Sequence, residues 1–178
     1  AAPGTPTPGP ATIVGLYERH PGALKFHEVT TATTGSDGGY QFTNVVSSTN
    51  EIYQVRTMSA PKRHSAVLFE GVQDVVTLQA SSTTAIVGGQ VTFSGTVSPD
   101  KAGHVIYLQT LGTDGDWHDV ATGYVNNSST YQFPWTFGFA GSPEFRTRIT
   151  GGPANVGNAS AAVAVVVALP PLSLLPTG

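Results

Sequence analysis

Two histidine–acid neighbours are the residues best placed by type and spacing to do chemistry: His27-Glu28 and His118-Asp119. A histidine beside a carboxylate can act as a general base or hold a metal, provided both side chains reach one point. Both pairs lie in stretches that alternate apolar and polar residues. That places them on β-strands, where adjacent side chains point to opposite faces and the two partners diverge. The spacing His-Glu-x-x-His is absent, since His27-Glu28 continues into Val29-Thr30-Thr31. Asp114-Gly115-Asp116 and Ser36-Asp37-Gly38-Gly39 could offer oxygens to calcium. Neither has the Asp-x-Asp-x-Asp-Gly run and distant Glu of an EF-hand loop, and Asp-Gly is the ordinary choice for a tight turn. No Gly-x-Ser-x-Gly elbow activates a serine, and no Gly-x-x-x-x-Gly-Lys-Ser/Thr loop cradles a phosphate. No catalytic, cofactor-binding or metal-ligating residue is therefore expected. The residues expected to meet a ligand, if one is bound, are Trp117 and Tyr124, as exposed aromatic surface.

The elements that position these residues follow a period of two. Tyr131, Phe133, Trp135, Phe137 and Phe139 occupy alternate positions with Gln132, Pro134, Thr136 and Gly138 between them, a row expected to face a core. Pro134 lacks an amide donor, which places this strand at a sheet edge or breaks it there. Phe145, Thr147 and Ile149 alternate with Glu144, Arg146 and Arg148, and Val91, Phe93, Gly95 and Val97 alternate with Thr92, Ser94 and Thr96. No window shows the 3.6 period of an amphipathic helix. Turn residues separate strands expected at 75–80 with 84–87, 90–97, 104–111, 117–124, 129–137, 143–150 and 160–168. Such a series describes an all-β sandwich of immunoglobulin type.

The series occurs nearly twice, at an offset of about 91 positions. Phe26-His27-Glu28-Val29 falls on Trp117-His118-Asp119-Val120, Tyr40-Gln41-Phe42 on Tyr131-Gln132-Phe133, and Tyr53 and Arg56 on Phe145 and Arg148. Val14–Tyr17 falls on Val105–Leu108 with one position of slippage. The first copy then has strands expected from Thr12 onward and at 26–33, 39–46, 51–57 and 65–70, with nothing upstream to match Val76–Val97. The expected organisation is a Pro-rich linker over 1–11, a first immunoglobulin-like module over 12–71 that lacks its A and B strands, a complete second module over 72–168, and a Leu/Pro tail over 169–178. Residues 71–75 form a short junction without a flexible Gly/Ser tract. A sandwich without A and B strands leaves an apolar face and an edge to be covered, which makes packing against the second module, or self-association through the first, an expectation.

Composition agrees with a β-protein whose surface is built from Ser, Thr and Gly. Charged residues make up 11% of the chain, against about 25% in typical soluble domains. A net charge of −3 gives no footprint for nucleic acid or an anionic membrane. There is no cysteine, hence no disulfide and no thiolate chemistry. No stretch reaches the roughly 18 apolar residues of a membrane helix, so membrane insertion is not expected. The end Leu175-Pro176-Thr177-Gly178 is similar to a sortase signal but lacks the variable residue between Pro and Thr.

Val76-Thr77-Leu78-Gln79-Ala80-Ser81-Ser82-Thr83-Thr84, followed by Val87-Gly88-Gly89-Gln90-Val91-Thr92-Phe93-Ser94-Gly95-Thr96-Val97-Ser98-Pro99, resembles the opening of bacterial immunoglobulin-like repeat domains of exported and surface proteins of actinobacterial type. Gly103–Gln109, Asp116-Trp117, Val120-Ala121 and Tyr131-Gln132-Phe133 continue the likeness. It covers about 75–168 well and about 12–70 as a second copy without its first strands. The resemblance implies a secreted or surface-exposed tandem with a structural, spacer or adhesive role, and no catalytic or binding residue to carry over. The alternative expectation is a carbohydrate- or protein-binding module using Trp117 and Tyr124, or an accessory region of a larger hydrolase.

Overall fold

The computed structural model describes residues 11–172. The Pro-rich stretch and the sortase-like end lie outside the described residues, and of the expected tail only 169–172 are described, irregular and exposed. The described chain is all-β with no helix. It divides into two compact units, one running up to Val72 and including Gly152–Val156, the other comprising Gln73–Gly151 and the residues from Gly157 onward.

In the first unit, β1 (Ile13–Arg19), β2 (His27–Thr33), β3 (Glu51–Thr57) and β4 (Leu68–Glu70) form one antiparallel sheet in the order β2-β1-β3-β4. Gly22 turns the chain between β1 and β2 at φ +87°, a conformation that favours glycine, and the Ala23 amide donates to the His20 carbonyl at 3.0 Å. Val14, Leu16 and Tyr53 form the buried inner row. Asn50 and Asn155 fasten Gly152–Val156 into this unit. The Asn50 side-chain amide donates to the Gly152 and Pro153 carbonyls and its oxygen accepts from the Val72 amide, while the Asn155 amide donates to the Ser48 and Val72 carbonyls. No pattern in the sequence marks that segment for the first unit.

The second unit holds β5 (Val75–Val76), β6 (Gln79–Ala80), β7 (Thr84–Ile86), β8 (Gln90–Ser98), β9 (Val105–Leu111), β10 (Trp117–Tyr124), β11 (Thr130–Thr136), β12 (Glu144–Ile149), β13 (Asn158–Ala159), β14 (Val163–Ala164) and β15 (Val166–Ala168). One sheet runs β10-β9-β12-β13, with β14 also on β12. The other runs β11-β8-β5, with β6 also on β8, and β7 pairs in parallel with β15. Two sheets bury the row predicted from alternation: Val91, Phe93 and Val97 from β8, Ile106 and Leu108 from β9, Tyr131 and Phe133 from β11, Phe145 and Ile149 from β12. Pro134 sits on β11, an edge strand, as its missing amide requires. The aromatic row is shorter than expected. Phe139 is 81% exposed, because β11 ends at Thr136 and the chain leaves the sheet before reaching it.

Among the described residues the first unit repeats one of these two sheets. The order β2-β1-β3-β4 matches β10-β9-β12-β13, and the register sets Leu16 on Leu108, Tyr53 on Phe145 and Arg56 on Arg148. Both copies carry a bulge at the same valine. Leu16 and Tyr17 pair with Thr30 and Glu28, skipping Val29, while Leu108 and Gln109 pair with Ala121 and Asp119, skipping Val120. One expected strand fails and another is shortened. Residues 39–46 form no strand, although Tyr40-Gln41-Phe42 repeats Tyr131-Gln132-Phe133, and the strand expected at 65–70 is confined to β4. The failure has a plain cause. In the second unit β11 is held by its ladder to β8, and among the described residues the first unit has no strand equivalent to β8. A strand without a ladder leaves its backbone groups unpaired and does not form.

Two features of the second unit's interior were not expected from sequence. The buried Lys101 ammonium lies 3.1 Å from a carboxylate oxygen of Asp74, with side chains 7% and 0% exposed. The Tyr131 hydroxyl is buried between the Thr77 carbonyl and the Thr147 hydroxyl. Gly95 faces Tyr131 across the ladder, and a Cβ there would collide with the Thr77 carbonyl and the tyrosine oxygen. Burial pushes the Tyr131 hydroxyl up to about 12, with its Thr147 hydrogen bond acting in the opposite direction. The unfolded chain gives up this proton near its ordinary value of 10. Between those values the unfolded state binds fewer protons, so stability contributed by the neutral phenol is complete below pH 10 and is lost as pH rises toward 12. Urea melts from pH 8 to 12 should show that decline in the native chain and a shallower one in Tyr131→Phe. Equal slopes would show that the hydroxyl titrates in the folded state as it does in water.

Candidate functional site

The bulge at Val120 decides what β10 presents. By skipping one residue it keeps Trp117, Asp119, Thr122 and Tyr124 opposite Leu111, Gln109, Tyr107 and Val105, on the side of the sheet away from Ile106 and Leu108. Arg146 and Arg148 of β12 share that outward side, because Phe145, Thr147 and Ile149 point inward. The result is a connected lattice. The Arg146 guanidinium lies 4.4 Å from the Trp117 ring centroid, and its Nε donates to Gln109 Oε1 at 2.8 Å. Gln109 Nε2 donates to Asp119 Oδ1 at 2.7 Å, Asp119 lies 3.6 Å from Arg148 Nη2, and Arg148 stands 5.0 Å over Tyr107. Burial, then the neighbouring Arg148 charge, lowers the Arg146 guanidinium from its ordinary value.

The first unit builds a similar lattice with its arginine at a different position, since Arg56 matches Arg148 in register and Gln54 matches Arg146. Arg56 lies 4.5 Å from the Tyr17 ring centroid and 4.7 Å from that of Phe26, and Arg19 lies 5.2 Å from Phe26. Arg56 Nε donates to Gln54 Oε1 at 3.0 Å, and the Tyr17 hydroxyl donates to Glu28 Oε2 at 3.0 Å. That last bond, then burial, holds the Tyr17 hydroxyl above its ordinary value. Phe26 thus stands where Trp117 does, Glu28 where Asp119 does, and a guanidinium covers the aromatic face in each copy.

The histidine–acid pairs part as strand geometry requires. Glu28 and Asp119 join the outward lattices, whereas His118 turns to Asp114, with Nε2 2.8 Å from Oδ2. This exposed clasp raises His118 and lowers Asp114 from their ordinary values, each chiefly through the shared hydrogen bond. Both acidic stretches are tight turns. Asp114 Oδ1 accepts from the Asp116 amide and Asp37 Oδ1 from the Gly39 amide, with Gly115 and Gly38 at φ +83° and +79°. Among the described residues no three His, Cys, Asp or Glu side chains gather in a way that could hold a metal.

Trp117 and Tyr124 are not brought together. They stand at opposite ends of β10, about 20 Å apart at strand spacing. Trp117 is half-buried beneath Arg146, whereas Tyr124 is 70% exposed and borders a shallow cleft of about 650 Å³. Its walls include Gln79, Ser94 and Gln132, which lie in one row across β6, β8 and β11, and no charged side chain. Sequence reasoning missed both arginines that complete the lattice. Their signal was present as the outward row alternating with Phe145, Thr147 and Ile149.

No protein-family model matches this sequence, and neither does any curated protein. Among solved structures the chain is similar to a tetra-tandem repeat in the extending region of a large adhesion protein (TM-score 0.41, 16% identity), covering 89% of this chain and 43% of that one. It is also similar to the D00-D0 domain of intimin (TM-score 0.40, 14% identity), covering 85% of this chain and 78% of that one. A third similarity is to domains 4 and 5 of the S-layer protein SbsC (TM-score 0.31, 15% identity), covering 86% and 97%. The chain spans less than half the length of the first of these.

Proposed function

We propose that this chain is a non-catalytic module of an exported or cell-surface protein, acting as a structural spacer or adhesive segment through the outward sheet face. The observation that supports this reading is the lattice itself, built in both units from an aromatic ring, an arginine on that ring and an acid. Arginine and the large aromatics are the side chains enriched where proteins meet, and stacking pre-orders the guanidinium before any partner arrives. Duplicating that face doubles the contacts one chain can make.

A second reading, a polysaccharide contact at Tyr124, is favoured by the uncharged cleft beside it, since an exposed ring with amide and hydroxyl neighbours suits a neutral sugar. One set of measurements addresses both readings. Purified protein should turn over no glycoside, ester or peptide substrate and should keep its melting temperature in EDTA. Turnover abolished by a point substitution, or a chelator-induced loss of several degrees, would contradict the non-catalytic reading, because a metal bound only to the native state must stabilise it. Saturable binding of a neutral polysaccharide, lost in Tyr124→Ala, would establish the second reading in place of the first.

A further inference from the structure

The sheet face that β8 and β11 cover in the second unit has a different cover in the first. There the irregular residues between β2 and β3 lie over the inner row and leave a mostly apolar cleft of about 370 Å³, walled by Leu16, Phe42, Val45, Tyr53, Leu68 and Val72. Of the apolar walls, Leu68 stays largely in water, 61% exposed. The segment 39–46 nonetheless keeps the Tyr-Gln-Phe triplet that pairs with β8 in the second unit, where Tyr131, Gln132 and Phe133 oppose Gly95, Ser94 and Phe93. The ring pair is kept as well. Tyr40 and Phe42 meet at 5.7 Å between centroids, as Tyr131 and Phe133 meet at 6.0 Å.

We propose that this cleft is a docking site for an extended strand of another polypeptide with the side-chain pattern of β8, an apolar residue at alternate positions and a glycine opposite Tyr40. The second unit states the chemistry of the occupant, because the same sheet plan there is covered by Val91, Phe93 and Val97 of β8. The incoming strand would pair with 39–46 in the β8–β11 register, inserting its aromatic residue opposite Phe42. Strand addition of this kind draws affinity from backbone hydrogen bonds and specificity from alternate side chains. A second copy of this chain is a poor donor. Its own β8 is central, paired with β11, β5 and β6, and releasing it would open the core around Phe93.

The test uses the full chain and a synthetic peptide with the sequence of residues 88–99. Calorimetry should give saturable binding, and hydrogen exchange should show the amides of 40–46 slowed by about tenfold or more on peptide addition. A peptide with aspartate in place of its phenylalanine should not bind. In the chain, Leu68→Asp changes a largely exposed side chain of the cleft wall, and should weaken binding by about tenfold, since it places a charge on an apolar wall. Absence of saturable binding, or protection confined to residues outside 12–72, would overturn the proposal. Protection of 40–46 that rises with protein concentration without peptide, together with dimers in sedimentation, would identify a second copy as occupant and overturn it equally.

Discussion

Lys101→Met is expected to destabilise the second unit by about 3–5 kcal/mol in urea melts, because it leaves the Asp74 carboxylate buried without its cation. Asp74 has no exposure to water, and neither carboxylate oxygen makes a directed hydrogen bond beyond the contact with the Lys101 ammonium. An ion pair of this kind adds little net stability compared with apolar side chains of similar volume, since both charges were taken out of water to form it. Breaking it is another matter, because one charge then stays behind without compensation. The double replacement Asp74→Leu with Lys101→Met should therefore recover most of the loss, or exceed the native stability by about 1–4 kcal/mol. A loss below about 1 kcal/mol for Lys101→Met would show that water reaches the carboxylate.

Phe145→Ala should cost about 3–5 kcal/mol, as removal of a buried aromatic leaves both lost transfer energy and a cavity. Phe145 is the centre of the aromatic cluster, with ring centroids 4.6 Å from Phe93, 5.6 Å from Trp135 and 6.1 Å from Phe137. Phe139→Ala, by contrast, should change stability by less than about 0.5 kcal/mol, because that ring lies in water. Comparable losses in the two variants would mean that the buried aromatic row continues past Phe137.

Most of the second unit was legible in the sequence because its strands alternate cleanly. Phe145, Thr147 and Ile149 against Arg146 and Arg148 set both the buried row and the outward one. Alternation fails as a guide where a strand ends, as Phe139 shows. It fails again where a ladder partner is missing. Tyr40-Gln41-Phe42 carries the same local pattern as Tyr131-Gln132-Phe133, yet strand formation depends on a neighbour far away in sequence, and local pattern cannot supply one. The outward lattices were half legible. The repeat located Phe26, Glu28, Trp117 and Asp119, but strand position alone does not reveal that arginines from β3 and β12 reach across to the aromatic rings. The Asp74–Lys101 pair gave no sequence signal, because a junction aspartate and a turn lysine read as solvent-exposed until the fold brings them together.

The claim that the outward lattice makes this module's contacts is tested most directly by adhesion. Beads coated with the chain should be retained on immobilised extracellular-matrix protein, and beads carrying Arg56→Ser with Arg146→Ser should lose most of that retention. The two substitutions remove Arg56 from Phe26, where Arg19 remains at 5.2 Å, and Arg146 from Trp117, interactions worth about 0.5–1 kcal/mol each at exposed sites, so the fold survives them. Retention of the variant beads equal to that of the native chain, with both proteins folded by circular dichroism, would contradict the account.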